Sequence, residues 1–177
     1  CGRNDDKSSL GDWWADTKKL PRGLTPLVEA CSRNEMEFGL WVEPEMVSPD
    51  SDLYRSHPDW ILSHESAPQL LARHQLVLDL ARPEVEAYIF DSLSTLLSQH
   101  PIRYLKWDMN RDIHQAGNAL GHPAVSGQTR ALYRLLNRVK TAFPEVEIEG
   151  CASGGGRVDC GILNYVSRFW PSDTNDA

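Results

Sequence analysis

The chain has 177 residues, 41% hydrophobic and 24% charged, which is the composition of an ordinary globular domain. A formal net charge of −7 and a pI near 5.3 argue against nucleic acid and against an anionic membrane surface as partners. No apolar run approaches the length of a membrane span. The first residue is Cys1 rather than Met, and Ala177 falls inside a polar motif, so the sequence reads as a fragment of a longer protein. Cys1, Cys31, Cys151 and Cys160 show no C-x-x-C spacing and no nearby histidine pair. Cys31 and Cys160 read as buried free thiols, and such usage fits a reducing, cytoplasmic setting, with no metal and no cofactor expected.

In chain order, residues 1–24 are polar and turn-rich, and Asp12-Trp13-Trp14 sits within them. The two indoles read as a hydrophobic lid under the loop, with a sugar-stacking platform as the alternative. Thr25 is expected to cap a helix with Pro26 in its first position and Leu27, Val28 and Cys31 on its apolar face. A strand is expected at Phe38–Val42, followed at once by Glu43-Pro44-Glu45-Met46. Those carboxylates are either site groups and their supports or a solvated loop. Residues 48–74 form a long excursion with Pro49, Pro58, Pro68 and the apolar patch Trp60-Ile61-Leu62. Arg73 then leads into an expected strand at 75–80. Pro83 opens a helix with Val85, Ile89, Leu93, Leu96 and Leu97 at helical spacing, stopped by Pro101.

The stretch Ile102–Arg111, IRYLKWDMNR, organises the rest. Its first half reads as a buried strand. Its second half crowds Lys106, Trp107, Asp108, Asn110 and Arg111 at the strand's end. Such a cluster is costly unless it serves a ligand, the alternative being a plain Lys106–Asp108 ion pair. A helix is expected from about Gln128 to Phe143, with Leu132, Leu135, Leu136 and Val139 on one face and Ser126 or Thr129 as cap. A strand at 146–150 runs into Cys151-Ala152-Ser153-Gly154-Gly155-Gly156-Arg157, and a short strand at 168–170 delivers Pro171-Ser172-Asp173-Thr174-Asn175-Asp176.

Strands alternating with helix-length crossovers demand a parallel sheet. Polar residues after every strand point to an α/β (β/α)8 TIM barrel with its site at the carboxyl ends of the strands. About five strands are expected here, whereas a whole barrel takes roughly 250 residues, so the fold is an incomplete barrel of central strands and helices. Asp108 and Asp173 end different strands, and paired carboxylates are what breaking a glycosidic bond requires. Trp41, Trp107 and Trp170 offer faces for a sugar ring; Arg73, Lys106 and Asn110 offer hydrogen bonds to hydroxyls. The glycine-rich turn matches neither nucleotide-binding spacing, and no histidines show metal-ligand spacing.

LWVEPEMVSPDSDLY, RHQLVLDLARPEV, YLKWDMNR, CASGGGRVDCGIL and WPSDTNDA together resemble the α-galactosidases of glycoside hydrolase family 36. The opening RNDDKSSLGDWWADTKKLPRGL is similar to the loop after their second barrel strand. The resemblance implies a retaining enzyme that removes terminal α-linked galactose from melibiose and raffinose-type sugars. It makes Asp108 the nucleophile and Asp173 the acid/base, with Asp176 a second candidate for that role. It puts Trp41, Arg73, Lys106, Asn110, Cys151 and Gly154 at sugar-binding positions. It also implies a homo-oligomer, a tetramer, and leaves the flanking β-domains and the first and last barrel strands outside this chain. Two positions depart from the pattern: Cys1 stands where an aromatic is expected, and Pro171 where a small polar residue is commoner. Related activities on the same barrel are a raffinose-synthase-like galactosyl transferase, an α-N-acetylgalactosaminidase and a non-catalytic sugar-binding relative. The mechanism asks for a low pKa at Asp108, which adjacent Lys106 is expected to support, and a raised one at Asp173, from the like charge of Asp108 and Asp176.

Overall fold

The computed structural model describes residues 5–64, 67–118 and 120–174. Its centre is a parallel sheet of strands β1 (Phe38–Val42), β4 (Ile102–Trp107), β5 (Glu147–Gly150) and β6 (Arg168–Phe169), in that spatial order. Leu40, Leu105 and Ile148 lie in register on one row. Trp41, Lys106, Glu149 and Arg168 form the next row, and Val42, Trp107, Gly150 and Phe169 the one after. Gly150 leaves room for the neighbouring ring: a Cβ there would lie 3.0 Å from Phe169 Cε1.

Parallel neighbours need crossovers long enough to hold a helix. The crossover between β4 and β5 carries α4 (Val125–Ala142), and α3 (Pro83–Gln99) leads into β4. Pro83 opens α3 where a missing N–H costs nothing. Val85, Ile89 and Leu93 of α3 pack with Leu132, Leu135, Leu136 and Val139 of α4 and with Leu105 and Ile148 of the sheet in one core. Glu86 is buried between the helices, where Arg134 and Arg138 of α4 neutralise it at 3.1 and 2.9 Å.

Residues 75–80 depart from expectation. They are not a strand of the parallel sheet. Only Leu76–Val77 (β3) is extended in a ladder, antiparallel to Met46–Val47 (β2) in a separate two-stranded ribbon. An unbroken buried apolar run gives the same signal as a barrel strand buried on both faces. Here the excursion folds back on itself, and the Gln128 side chain takes the place of a neighbouring strand. Its Nε2 donates to Leu78 O and its Oε1 accepts from Leu80 N, both at 2.9 Å.

Other boundaries shift slightly. Thr25 lies inside α1 (Thr25–Arg33) with Leu24 at the N-cap, and Ser126 lies inside α4, where Thr129 Oγ1 bonds Val125 O at 3.1 Å instead of capping. Of the paired indoles, Trp13 is buried and Trp14 is 48% exposed. Asp12 between Gly11 and Trp13 caps α2 (Asp52–Ser56), accepting from the N–H groups of Asp52 and Leu53 at 3.0 Å each. Among the described residues no helix is long and apolar enough to cross a membrane.

Candidate active site

The ladder runs on past the named strands. Asp108 N donates to Val42 O at 2.8 Å, Cys151 N to Trp107 O at 2.8 Å and Trp170 N to Gly150 O at 3.0 Å. This brings Asp108, Cys151 and Trp170 to one edge, the carboxyl end of the sheet.

Asp108 is 5% exposed, and its carboxylate is met by hydrogen-bond donors. Oδ2 accepts from Trp41 Nε1 at 2.9 Å and from Asn110 Nδ2 at 2.6 Å; Oδ1 accepts from Met109 N at 2.9 Å. Burial alone would push its carboxyl up. The Cys151 thiol, the Trp41 indole, the Asn110 amide and the Met109 N–H together hold it below the ordinary range. The low value expected at Asp108 is therefore present, with a different source. Lys106 does not pair with Asp108: its Nζ lies 4.0 Å from Glu149 Oε1 and 3.9 Å above the Trp170 ring. Burial and the bond to Asp108 push the Cys151 thiol up to about 11, so it stays protonated and remains a donor.

Glu43 and Glu45, left open between site and solvated loop, are both 1% exposed. Glu43 accepts from Asn110 N at 2.7 Å and from Gln75 Nε2 at 3.0 Å. Desolvation first, and then the charge of Asp108, raise its pKa above the ordinary value. Glu45 accepts from Trp107 Nε1 at 3.0 Å and pairs with Arg157 Nη1 at 2.6 Å. Sequence reasoning missed Gln75 and Arg157. Their signals were a polar residue opening a buried apolar run and a cation closing a glycine-rich turn.

Gly154 sits at φ +86, where a Cβ would lie 3.1 Å from Ser172 Cα and 3.3 Å from Pro171 O. Gly155 N donates to Pro171 O at 3.0 Å, so the glycine-rich turn seats the segment that carries Asp173. Ser153 Oγ reaches Asn110 Oδ1 at 3.4 Å. Asp173 is exposed and accepts from Trp170 Nε1 at 2.9 Å. Asp176, the second candidate for the acid/base, lies outside the described residues. Arg73 stands apart. It is exposed at φ +51 in the turn between Ala72 and Gln75 and makes no hydrogen bond or ion pair with a described residue. The structure thus gathers Trp41, Lys106, Asp108, Asn110, Cys151 and Gly154, sets Asp173 beside Trp170, and leaves Arg73 without contact to them.

A cavity of about 340 Å³ lies to one side of this cluster, between Met109, Arg111, Thr129, Tyr133 and Arg157, and Asp108 does not line it. Among the described residues no group of three His, Cys, Asp or Glu side chains is placed to hold a metal ion. The arrangement offers an ionised, oriented carboxylate beside the half-exposed face of Trp41 and the Trp170 ring. A sugar could stack there and be attacked.

Comparison with known proteins places this geometry. The family model described as Melibiase matches residues 1–177. The chain belongs to the Melibiase family. It is 53% identical to an alpha-galactosidase of Escherichia coli over 176 residues, covering 99% of this chain and 25% of that protein. It is 44% identical to alpha-galactosidase AgaA of Geobacillus stearothermophilus, covering 99% of this chain and 25% of that protein. The crystal structure of the alpha-galactosidase from Lactobacillus brevis superposes with a TM-score of 0.94 at 42% identity, over 98% of this chain and 24% of that one. The GH36 enzyme AgaA does so with a TM-score of 0.93 at 44% identity, over 98% of this chain and 25% of that one. This melibiase chain thus spans about a quarter of the length of the relatives it matches, and its parallel α/β sheet is part of a TIM barrel.

Proposed function

We propose that the protein carrying this chain is a retaining α-galactosidase acting by double displacement, with the chain as the central part of its catalytic barrel. The observation that supports this reading best is Asp108: a buried carboxylate kept ionised by donors alone, beside indole faces. Doubly substituted variants of AgaA have been crystallised with raffinose and with stachyose, which favours terminal α-galactose of raffinose-type oligosaccharides as the substrate class here.

In the first step an Asp108 oxygen attacks the anomeric carbon and the bond to the leaving oxygen breaks. Asp173 gives that oxygen its proton. In the second step Asp173 takes a proton from water, which attacks the same carbon and releases Asp108. Two inversions give net retention. Trp41, Lys106, Asn110, Cys151 and Gly154 line the galactose side; Arg73, apart from them in its turn, is assigned to hydroxyl binding on the family resemblance. Asp176 is the alternative acid/base. A homo-oligomer, the tetramer of the resemblance, and a cytoplasmic setting without nucleic-acid or membrane partners complete the proposal.

Proton spectra recorded while the intact protein hydrolyses melibiose test it. α-Galactose is expected as the first anomer formed. β-Galactose first, or no hydrolysis, contradicts the proposal. Galactosylated sucrose as the main product when sucrose is added would instead assign a transferase.

A further inference from the structure

Asp108 is oriented by Asn110, and Asn110 is itself held from behind. Glu43 Oε1 accepts the backbone N–H of Asn110 at 2.7 Å, while Glu43 Oε2 accepts from Gln75 Nε2 at 3.0 Å. The side-chain amide of Asn110 then donates to Asp108 Oδ2 at 2.6 Å, the same oxygen that takes the Trp41 indole at 2.9 Å. Gln75 is fixed in turn, because Arg111 Nη1 donates to its carbonyl oxygen. Glu43, Gln75, Arg111 and Asp108 are each nine-tenths or more buried, whereas Asn110 and Trp41 are partly open to solvent. The Glu43 carboxylate is itself shut off from solvent, and truncating it takes away the protein acceptor of the part-buried Asn110 N–H.

We propose that Glu43 is a positioning residue for the nucleophile: its carboxylate fixes the Asn110 backbone so that Asn110 sets the orientation of Asp108. Glu43 does not touch the substrate in this role. Length and acceptor geometry matter more than charge. A glutamine at position 43 keeps an oxygen for Asn110 N–H, and once the Gln75 amide turns over, the new amide can donate to Gln75 Oε1, a buried atom with no partner among the described residues. An aspartate keeps the charge but is one methylene too short. The inference rests on Asp108 being the nucleophile.

A fluorinated α-galactosyl fluoride separates the two claims. Fluoride leaves without protonation as Asp108 bonds to the anomeric carbon, so the rate of covalent labelling reports attack by Asp108 and needs no acid. In the intact protein, Glu43→Ala is expected to label completely but about tenfold to a hundredfold more slowly, the rate equivalent of losing a charge-assisted hydrogen bond that holds Asn110. Glu43→Gln should return to within about fivefold of native, since a neutral acceptor makes the weaker bond. Glu43→Asp should stay as slow as Glu43→Ala, and this pair decides the matter if the alanine variant does not fold. Native-rate labelling in Glu43→Ala or Glu43→Asp overturns the proposal. So does a reduced labelled fraction with the survivors at native rate, or Glu43→Asp outpacing Glu43→Gln. Peptide mapping of the native label distinguishes the underlying reading: a label on a residue other than Asp108 removes the nucleophile assignment itself.

Discussion

A carboxyl group buried as deeply as Asp108 would titrate high if it stood alone, and its ionised state depends on counting donors. Three side-chain donors and one backbone N–H outweigh the desolvation. The sign follows directly. With its pKa depressed in the folded protein, Asp108 stays ionised as pH falls below the ordinary carboxylate range, and activity that needs the ion is lost only as pH falls through the depressed value. Removing a donor should move that loss upward. Trp41→Phe keeps an aromatic face and deletes the indole N–H, so the acid limb of kcat/KM in the intact protein is expected to shift to higher pH. An unmoved limb would mean the 2.9 Å bond carries none of the shift. At this scale the clustering of Asp108 and Asn110 at a strand end was legible in the sequence, because polar groups there stand out, whereas Cys151 was singled out only by the resemblance. The partner of Lys106 was not legible. Sequence adjacency suggested Asp108, which alternation does put on the same face as Lys106 but farther along the chain, whereas the parallel register sets Glu149 of β5 directly beside Lys106.

At the scale of elements, the glycine-rich turn after β5 is held at both ends. Gly155 binds Pro171, and Arg157 is locked onto Glu45, which also takes the indole N–H of Trp107. The Glu45 side chain is 2% exposed and that of Arg157 18%, so breaking the pair leaves a buried charge. Arg157→Met is expected to destabilise the intact protein by roughly 3–5 kcal/mol in denaturant unfolding, and Glu45→Gln combined with Arg157→Met by much less. Equal losses for the single and double variants would show that the pair is not coupled. Helices α3 and α4 were readable from their apolar spacing, and β1, β4 and β5 from their β-branched and aromatic content. Residues 75–80 misled, because burial on all sides by a folded-back excursion and by Gln128 looks the same in sequence as burial inside a parallel sheet.

For the molecule as a whole, strands β1 and β6 each pair on one side only among the described residues. Unpaired ladder edges and exposed apolar side chains such as Leu70, Leu71 and Leu120, at 52%, 53% and 78%, invite association. The 177 residues expressed alone are expected to aggregate and to leave a nitrophenyl α-galactoside unhydrolysed; dispersed proton–nitrogen spectra together with turnover would contradict this. The parallel architecture was legible from strand–helix alternation, but how many strands face the site was not, since crossover lengths do not report which apolar runs join the sheet. The central claim concerns two carboxylates of the intact protein, and the anomer of an azide product tests it most directly. With Asp108→Gly and a good leaving group, azide entering the vacated space should displace once and give β-galactosyl azide. With Asp173→Gly, Asp108 still forms the intermediate and azide should complete the second displacement to give α-galactosyl azide. Ordinary hydrolysis with retention in Asp108→Gly, or an α-azide from Asp176→Gly but not from Asp173→Gly, would contradict the assignment.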